Sequence, residues 1–228
     1  MLVGHFAVGF AAKRIEPQLS LGTTVLASML PDLVWSICMV AGIEHVEFKK
    51  AIGAGNYFAA SDIALSHSLL MDAIWAVLLA LAYFRLRRNL RGAWVLFAVV
   101  LSHWVLDVVA HRPDMPLAPG IHTLLGLGLW TSIPATLVVE GGMWLAAIVV
   151  YVHATRPGSW AGTYVFWIVV VLLALLWYNN IAGPPPPNPS AAGISSLIFF
   201  SLTIAWSYWM NRLRPAALLD KSARSPHG

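Results

Sequence analysis

Charge is scarce in this 228-residue chain: Asp, Glu, Lys and Arg together make up 11% of it, while 59% is hydrophobic. With a mean hydropathy of +0.73, that balance excludes an ordinary soluble domain, in which about half of the residues are apolar. The lipid bilayer is therefore its expected solvent and partner. Cysteine is nearly absent. Cys38 stands alone, so neither an intrachain disulfide nor a thiolate cluster can form. A secretory signal is also missing from the expected pattern. The first apolar stretch, residues 1–12, has its charges, Lys13 and Arg14, behind it rather than in front, and no small-residue cleavage site is evident.

What the chain does have is length of apolar sequence. Six stretches, at about residues 21–42, 63–84, 93–111, 132–154, 163–181 and 192–210, are long enough to cross a bilayer, which takes roughly 20 apolar residues per helix. Residues 1–12 are too short to span. The expected fold class is an all-α, polytopic membrane helix bundle of about six transmembrane helices plus a short N-terminal half-helix. Residues 1–210 read as a single membrane domain and 211–228 as a basic cytoplasmic tail.

The net charge of +4 is a topology signal and no sign of nucleic-acid binding, because its distribution is one-sided. Six crossings put Lys13, Arg14, Arg85, Arg87, Arg88, Arg91, Arg156, Arg212, Arg214, Lys221 and Arg224 on one side, and only Lys49, Lys50 and Arg112 on the other. The excess of Lys and Arg on cytoplasmic loops then places both termini in the cytoplasm. Trp94, Trp160 and Trp209 near the inner ends, with Trp35, Trp130 and Trp177 towards the outer ends, fit interfacial belts. The basic turn from Arg85 to Arg91 makes the second and third spans antiparallel neighbours. Pro184–Pro187 forms a stiff outer strap.

Against this apolar background the ionisable groups stand out, because such groups inside a bilayer are costly and mark functional sites. The triplet Leu-Ser-His occurs twice, at residues 65–67 and 101–103, and the second continues to Asp107, four residues after His103. That spacing puts both side chains on one helix face. Counting 1.5 Å per residue from the inner basic residues puts His103 about 18 Å deep, Asp107 about 24 Å, His67 about 27 Å and Glu140 about 24 Å. Asp32 comes to about 17 Å, counted from Leu21. In a hydrocarbon core of roughly 30 Å, the polar layer lies in the outer half.

Two histidines and two carboxylates at one depth suit a divalent metal, zinc being the expected one. Pro31 is expected to weaken the helix beside Asp32 and free backbone carbonyls. Ser66, Ser68 and Ser102 flank the histidines as candidate orienting partners. If residues 1–12 enter as a half-helix, His5 reaches about 12 Å and approaches the same level. Gly9 then allows a close helix neighbour; the alternative is a segment lying flat on the membrane. Asp72 is left outside the set because it does not share the face of His67. His111 is expected to cap its helix, and His45 and His122 to be solvated loop residues.

Four strings occur in order: Gly4-His5-Phe6-Ala7-Val8-Gly9, Leu30-Pro31-Asp32, Ser66-His67-Ser68-Leu69-Leu70 and Ser102-His103-Trp104-Val105-Leu106-Asp107. This order resembles the membrane-bound, metal-dependent hydrolases of bacterial inner membranes, some described as LexA-regulated, over the first half of the chain to about His111. The resemblance implies a divalent-metal site of His5, Asp32, His67, His103 and Asp107 and a hydrolytic reaction. The His-x-x-x-Asp pattern also looks like that of all-helical zinc phospholipases C and nucleases, which implies a phosphoester substrate. The chain departs from the family where Val34 replaces a second acidic residue, and where Ser61-Asp62-Ile63-Ala64 replaces the usual His-Arg-Gly.

The expected function is thus a membrane-bound metal-dependent hydrolase acting on a phosphoester or lipid-linked substrate. Asp107 serves as both ligand and catalytic group, and Glu140 as general base or acid. Two other classes of function use the same residues. In a proton-coupled transporter they form a relay open to both sides. In a non-catalytic bundle they only hydrogen-bond helices together. The sequence does not specify an oligomeric state.

Overall fold

The computed structural model describes residues 1–48, 58–184 and 186–217. Lys49, Lys50, Pro185 and the end of the basic tail, with Lys221 and Arg224, lie outside the described residues. The chain is an all-α polytopic bundle. Its elements are α1 (Leu2–Ile15), α2 (Leu21–Ser28), α3 (Leu30–Val40), α4 (Ala64–His67), α5 (Leu69–Arg87), α6 (Leu90–Ala110), α7 (Ile133–Ala154), α8 (Trp160–Ala182) and α9 (Pro189–Leu213). A short antiparallel ribbon, β1 (His45–Phe48) with β2 (Phe58–Asp62), lies between α3 and α4.

Helices α5 to α9 are each long and apolar enough to cross a membrane, and α2 with α3 forms a sixth crossing if the pair, bent by 59° at Met29, is one span. Their starts are written locally. The side chains of Ser68, Asn89, Ser132, Ser159 and Asn188 each accept a backbone N–H from the first turn of α5 to α9 respectively, satisfying donors that a helix leaves open. Arg88 ends α5 in the left-handed region, at φ 55°, and the chain turns at once into α6, which packs antiparallel against α5. Leu78, Leu81, Val138, Leu145, Ile168 and Leu202 remain exposed on the long helices, as lipid-facing positions should.

Residues 1–12 do not lie flat on a surface. Helix α1 is enclosed by α2, α6 and α7, and Val3, Phe6 and Phe10 are fully buried. Phe10 meets Trp144 edge-on at 5.2 Å, and Tyr151 stacks on Phe166 at 5.3 Å, so aromatic packing forms the core around α1. Close approach requires Gly9: a Cβ there would lie 2.7 Å from Ser28 Oγ and 3.1 Å from the Thr24 carbonyl. The far end of α1 is tied to the basic turn. Arg91 donates to the Ile15 carbonyl at 2.8 Å and pairs with Glu16 at 3.2 Å, while Lys13 Nζ donates to the carbonyls of Pro17 and Leu19.

One local expectation holds and one changes. Pro31 sits in the first turn of α3, where its missing N–H costs nothing; the helix breaks at Met29 just before it, and the Ser28 carbonyl is left to His103 Nδ1. The chain just beyond Asn211 is packed: α9 continues to Leu213, and Arg214 is buried over the Phe166 ring at 4.7 Å, donating to the Gly162 carbonyl at 3.0 Å.

Candidate metal centre

Four elements deliver one side chain each, or two in the case of α6. His103 and Asp107 lie one turn apart on α6, Asp32 in the first turn of α3, His67 at the end of α4, and His5 on α1. The breaks in the chain matter here. The bend at Met29 turns α3 away from α2, and Ser68, with extended backbone, ends α4 directly after His67. A continuous helix in either place would carry these side chains elsewhere.

The structure brings His5, Asp32, His67, His103 and Asp107 together. His67 Nε2 lies 3.4 Å from Asp32 Oδ1 and 3.8 Å from Asp107 Oδ2. His103 Nε2 lies 3.8 Å from Asp32 Oδ1 and 3.2 Å from Asp107 Oδ2. His5 Nε2 is 3.0 Å from Asp107 Oδ1, and the Met1 amino group reaches both His5 Nε2, at 2.8 Å, and Asp107 Oδ1. All of these side chains are buried except that of Asp32, which is 20% exposed.

Hydrogen-bond direction shows what the cluster accepts. His103 Nδ1 is 2.8 Å from the Ser28 carbonyl, which can only accept, so Nδ1 carries the proton in the neutral ring. Its Nε2 then presents a lone pair towards two carboxylates and has no hydrogen-bond partner. Lone pair against carboxylate, away from water, is unfavourable unless Nε2 is itself protonated or a cation lies between them, and the Met1 ammonium already sits on Asp107 Oδ1. The spacing suits one. Zinc bonds of about 2.0–2.1 Å in a tetrahedron require ligand atoms about 3.3 Å apart; the four histidine–carboxylate distances run from 3.2 to 3.8 Å. The ligand atoms form two groups that share His103, His5–His103–Asp107 and Asp32–His67–His103, each within 4.8 Å. The donor set, imidazole and carboxylate, is also that of zinc and related divalent ions.

Other expectations need adjusting. Only Ser66 touches a histidine, with Oγ 2.7 Å from His67 Nδ1. Ser68 caps α5, and Ser102 donates to the Val99 carbonyl in its own helix. Glu140 is buried on α7 but stands outside the ligand cluster; its Oε1 accepts from Trp130 Nε1 at 2.7 Å and its Oε2 has no partner. Asp72 is fully buried with both oxygens unpartnered, within electrostatic reach of His67 and His103. It belongs to neither group of ligand atoms, in keeping with its helical phase. His111 caps α6 and pairs with Asp114 at 3.0 Å; His45 and His122 are exposed.

Glu44 was not legible as part of the site. It follows α3 in a turn, is 2% exposed, and accepts hydrogen bonds from Leu65 N, Ser66 N and Ser66 Oγ. No sequence signal links a glutamate in the turn after α3 to a serine more than twenty residues later.

Asp32, His67 and Asp107 form part of the lining of a cavity of about 590 Å³ that also reaches Trp35, Trp130 and Phe199. This lies within the size range of small-molecule sites. A family model described as YdjM inner membrane protein matches residues 1–182. Comparison with curated proteins and with solved structures produced no match.

Proposed function

The chain belongs to the YdjM inner membrane protein family, and from that premise we propose that this multi-pass inner membrane protein is a metal-dependent hydrolase acting on a phosphoester or lipid-linked substrate. The observation that carries the reading is a pair of ligand-atom groups sharing His103, namely Asp32 with His67 and His103, and His5 with His103 and Asp107, each with its atoms within 4.8 Å of one another, beside a largely apolar cavity. Asp32, His67, His103 and Asp107 would hold the ion, with His5 at its edge through Asp107 Oδ1. A divalent ion, when bound, acidifies a water molecule and polarises the bond to be cut.

The chain's own residues do the rest. Trp35, Trp130 and Phe199 limit water in the cavity and offer surface to an acyl or isoprenoid chain. Glu140 leaves Oε2 unengaged while Trp130, which lines the cavity, holds Oε1; there it would take the proton from the attacking water and pass it to the leaving group. On the positive-inside rule the basic end of α1 and the end of α9 would face the cytoplasm, with the Met1 amino group inside the bundle on Asp107 instead of at that surface, and the cavity would open towards the outer leaflet. A carrier would need a polar route past α1. On that side Phe6, Phe10, Trp144, Tyr151 and Phe166 form a closed apolar core.

The test is metal content. The protein is purified in mild detergent, stripped with chelator, reloaded with zinc or manganese and analysed by mass spectrometry beside His103→Ala and Asp107→Ala. The expected result is stoichiometric metal in the parent and its loss in both variants. A parent that takes up no metal removes the proposal.

A further inference from the structure

Glu44 belongs to none of the residues assigned a role above, yet it is a buried carboxylate with three hydrogen bonds. Its Oε1 accepts Leu65 N at 2.9 Å and Ser66 N at 2.8 Å, and its Oε2 accepts Ser66 Oγ at 2.7 Å. Ser66 Oγ in turn lies 2.7 Å from His67 Nδ1. We propose that Glu44 is a positioning residue of the metal centre: through Ser66 it holds His67 as the tautomer whose Nε2 faces Asp32 and Asp107 with a free lone pair. This inference rests on the metal-centre reading for its consequence, though its core concerns a proton position in the protein itself.

The polarity follows from counting protons. A hydroxyl has one hydrogen to donate. A carboxylate only accepts, so the Ser66 hydrogen points to Glu44. The other acceptor near it is the Ile63 carbonyl at 3.3 Å, and that choice also turns the hydrogen away from the histidine. Either way Ser66 Oγ faces His67 Nδ1 as an acceptor, and Nδ1 carries the proton. Nε2 is then bare, 3.4 Å from Asp32 Oδ1 and 3.8 Å from Asp107 Oδ2. His103 reaches the same state by a different partner, the Ser28 carbonyl. Both histidines therefore present Nε2 to the same two carboxylates, and a group behind each ring sets its orientation, as metal-binding imidazoles require.

Glu44 also acts across the fold. It leaves α3 within a few residues of Val40 and grips the backbone at the start of α4. The element that carries Asp32 is thereby fastened to the element that carries His67.

The experiment compares the parent with Glu44→Gln, Ser66→Ala and the double variant. Glutamine keeps an oxygen for the two backbone N–H groups, so the fold should survive, which a thermal scan in detergent checks. Its amide nitrogen donates to Ser66 Oγ, and the hydroxyl hydrogen, having lost its carboxylate acceptor, has His67 Nδ1 at 2.7 Å ahead of the Ile63 carbonyl at 3.3 Å. Nitrogen NMR of labelled histidine in metal-free protein reads the tautomer directly. The expected result is an Nδ1-protonated His67 in the parent and a shift towards the Nε2-protonated form in Glu44→Gln. Zinc affinity by chelator competition should fall about 10–100-fold in Glu44→Gln and recover in part in the double variant, where no hydroxyl is left to protect Nδ1. An Nε2-protonated His67 in the parent, or an unchanged tautomer in Glu44→Gln, overturns the proposal. A correct tautomer pattern in a protein that takes up no metal would leave the positioning role in place and remove the hydrolase reading instead.

Discussion

The imidazole of His5 lies flat on that of His103, with ring centroids 3.6 Å apart and planes 7° from parallel. One ring belongs to the enclosed half-helix and the other to a full crossing, so the stack joins α1 to α6 at the depth of the carboxylates. His5 has two separable duties here: covering His103 and offering Nε2 to Asp107. In His5→Phe the stack persists and the nitrogen is lost; in His5→Ala both go. Zinc affinity should drop about 10–100-fold in both variants, while the melting temperature falls markedly only in His5→Ala. If phenylalanine restores affinity as well, His5 is packing alone.

Gly9 couples helix packing to the site. An added methyl at this position meets Ser28 Oγ and the Thr24 carbonyl, and the carbonyl of Ser28 is what orients His103. Gly9→Ala should destabilise the fold by about 1–3 kcal/mol and weaken metal binding with no change to any ligand. Gly9→Ala combined with Ser28→Ala should recover part of the melting temperature, since it removes the hydroxyl contact but leaves the Thr24 one. Thermal scans with parallel zinc titrations check both effects.

Glu140 and the ligand cluster should separate by readout. Glu140→Gln keeps an oxygen for Trp130 Nε1 and introduces no bulk. Metal content should match the parent, whereas turnover of a lipid-chain ester should fall by about 100-fold or more, the typical weight of a general acid or base. Loss of metal from this variant would move Glu140 from proton transfer to a structural role.

At the other end of the bundle, Arg214 is buried between Thr155, Gly162 and the Phe166 ring. Arg214→Leu forfeits charge-assisted hydrogen bonds and leaves the Gly162 carbonyl without that donor, a loss of about 2 kcal/mol. The expected result is a lower melting temperature with zinc stoichiometry intact. A changed stoichiometry would mean that this end of the bundle communicates with the candidate metal centre.

Much of the fold was legible because hydropathy is a direct demand of the bilayer. Helices α5 to α9 fall within a few residues of the apolar stretches, and Ser132, Ser159 and Asn188 mark starts that their side chains satisfy. The His103–Asp107 pair was legible for a similar reason, since four-residue spacing fixes a shared helix face. The role of Ser102 was not. Its hydroxyl had two possible acceptors, a neighbouring ring or its own helix, and only packing selects between them; it donates to Val99. Asp72 was placed outside the ligand set by helical phase, and it stands buried on α5 in neither group of ligand atoms.

The order of apolar segments, the one-sided basic residues and the depth of the polar layer were determined by sequence alone, since a chain in lipid must satisfy its backbone within each crossing. Only the tertiary structure decided which polar groups meet. The 59° bend at Met29, the short α4 and the enclosure of α1 bring residues from four parts of the chain within a few ångströms. Glu44 joins them through a turn that no periodicity describes. Contacts between distant segments depend on how helices pack, and packing is a property of the whole bundle rather than of any stretch within it.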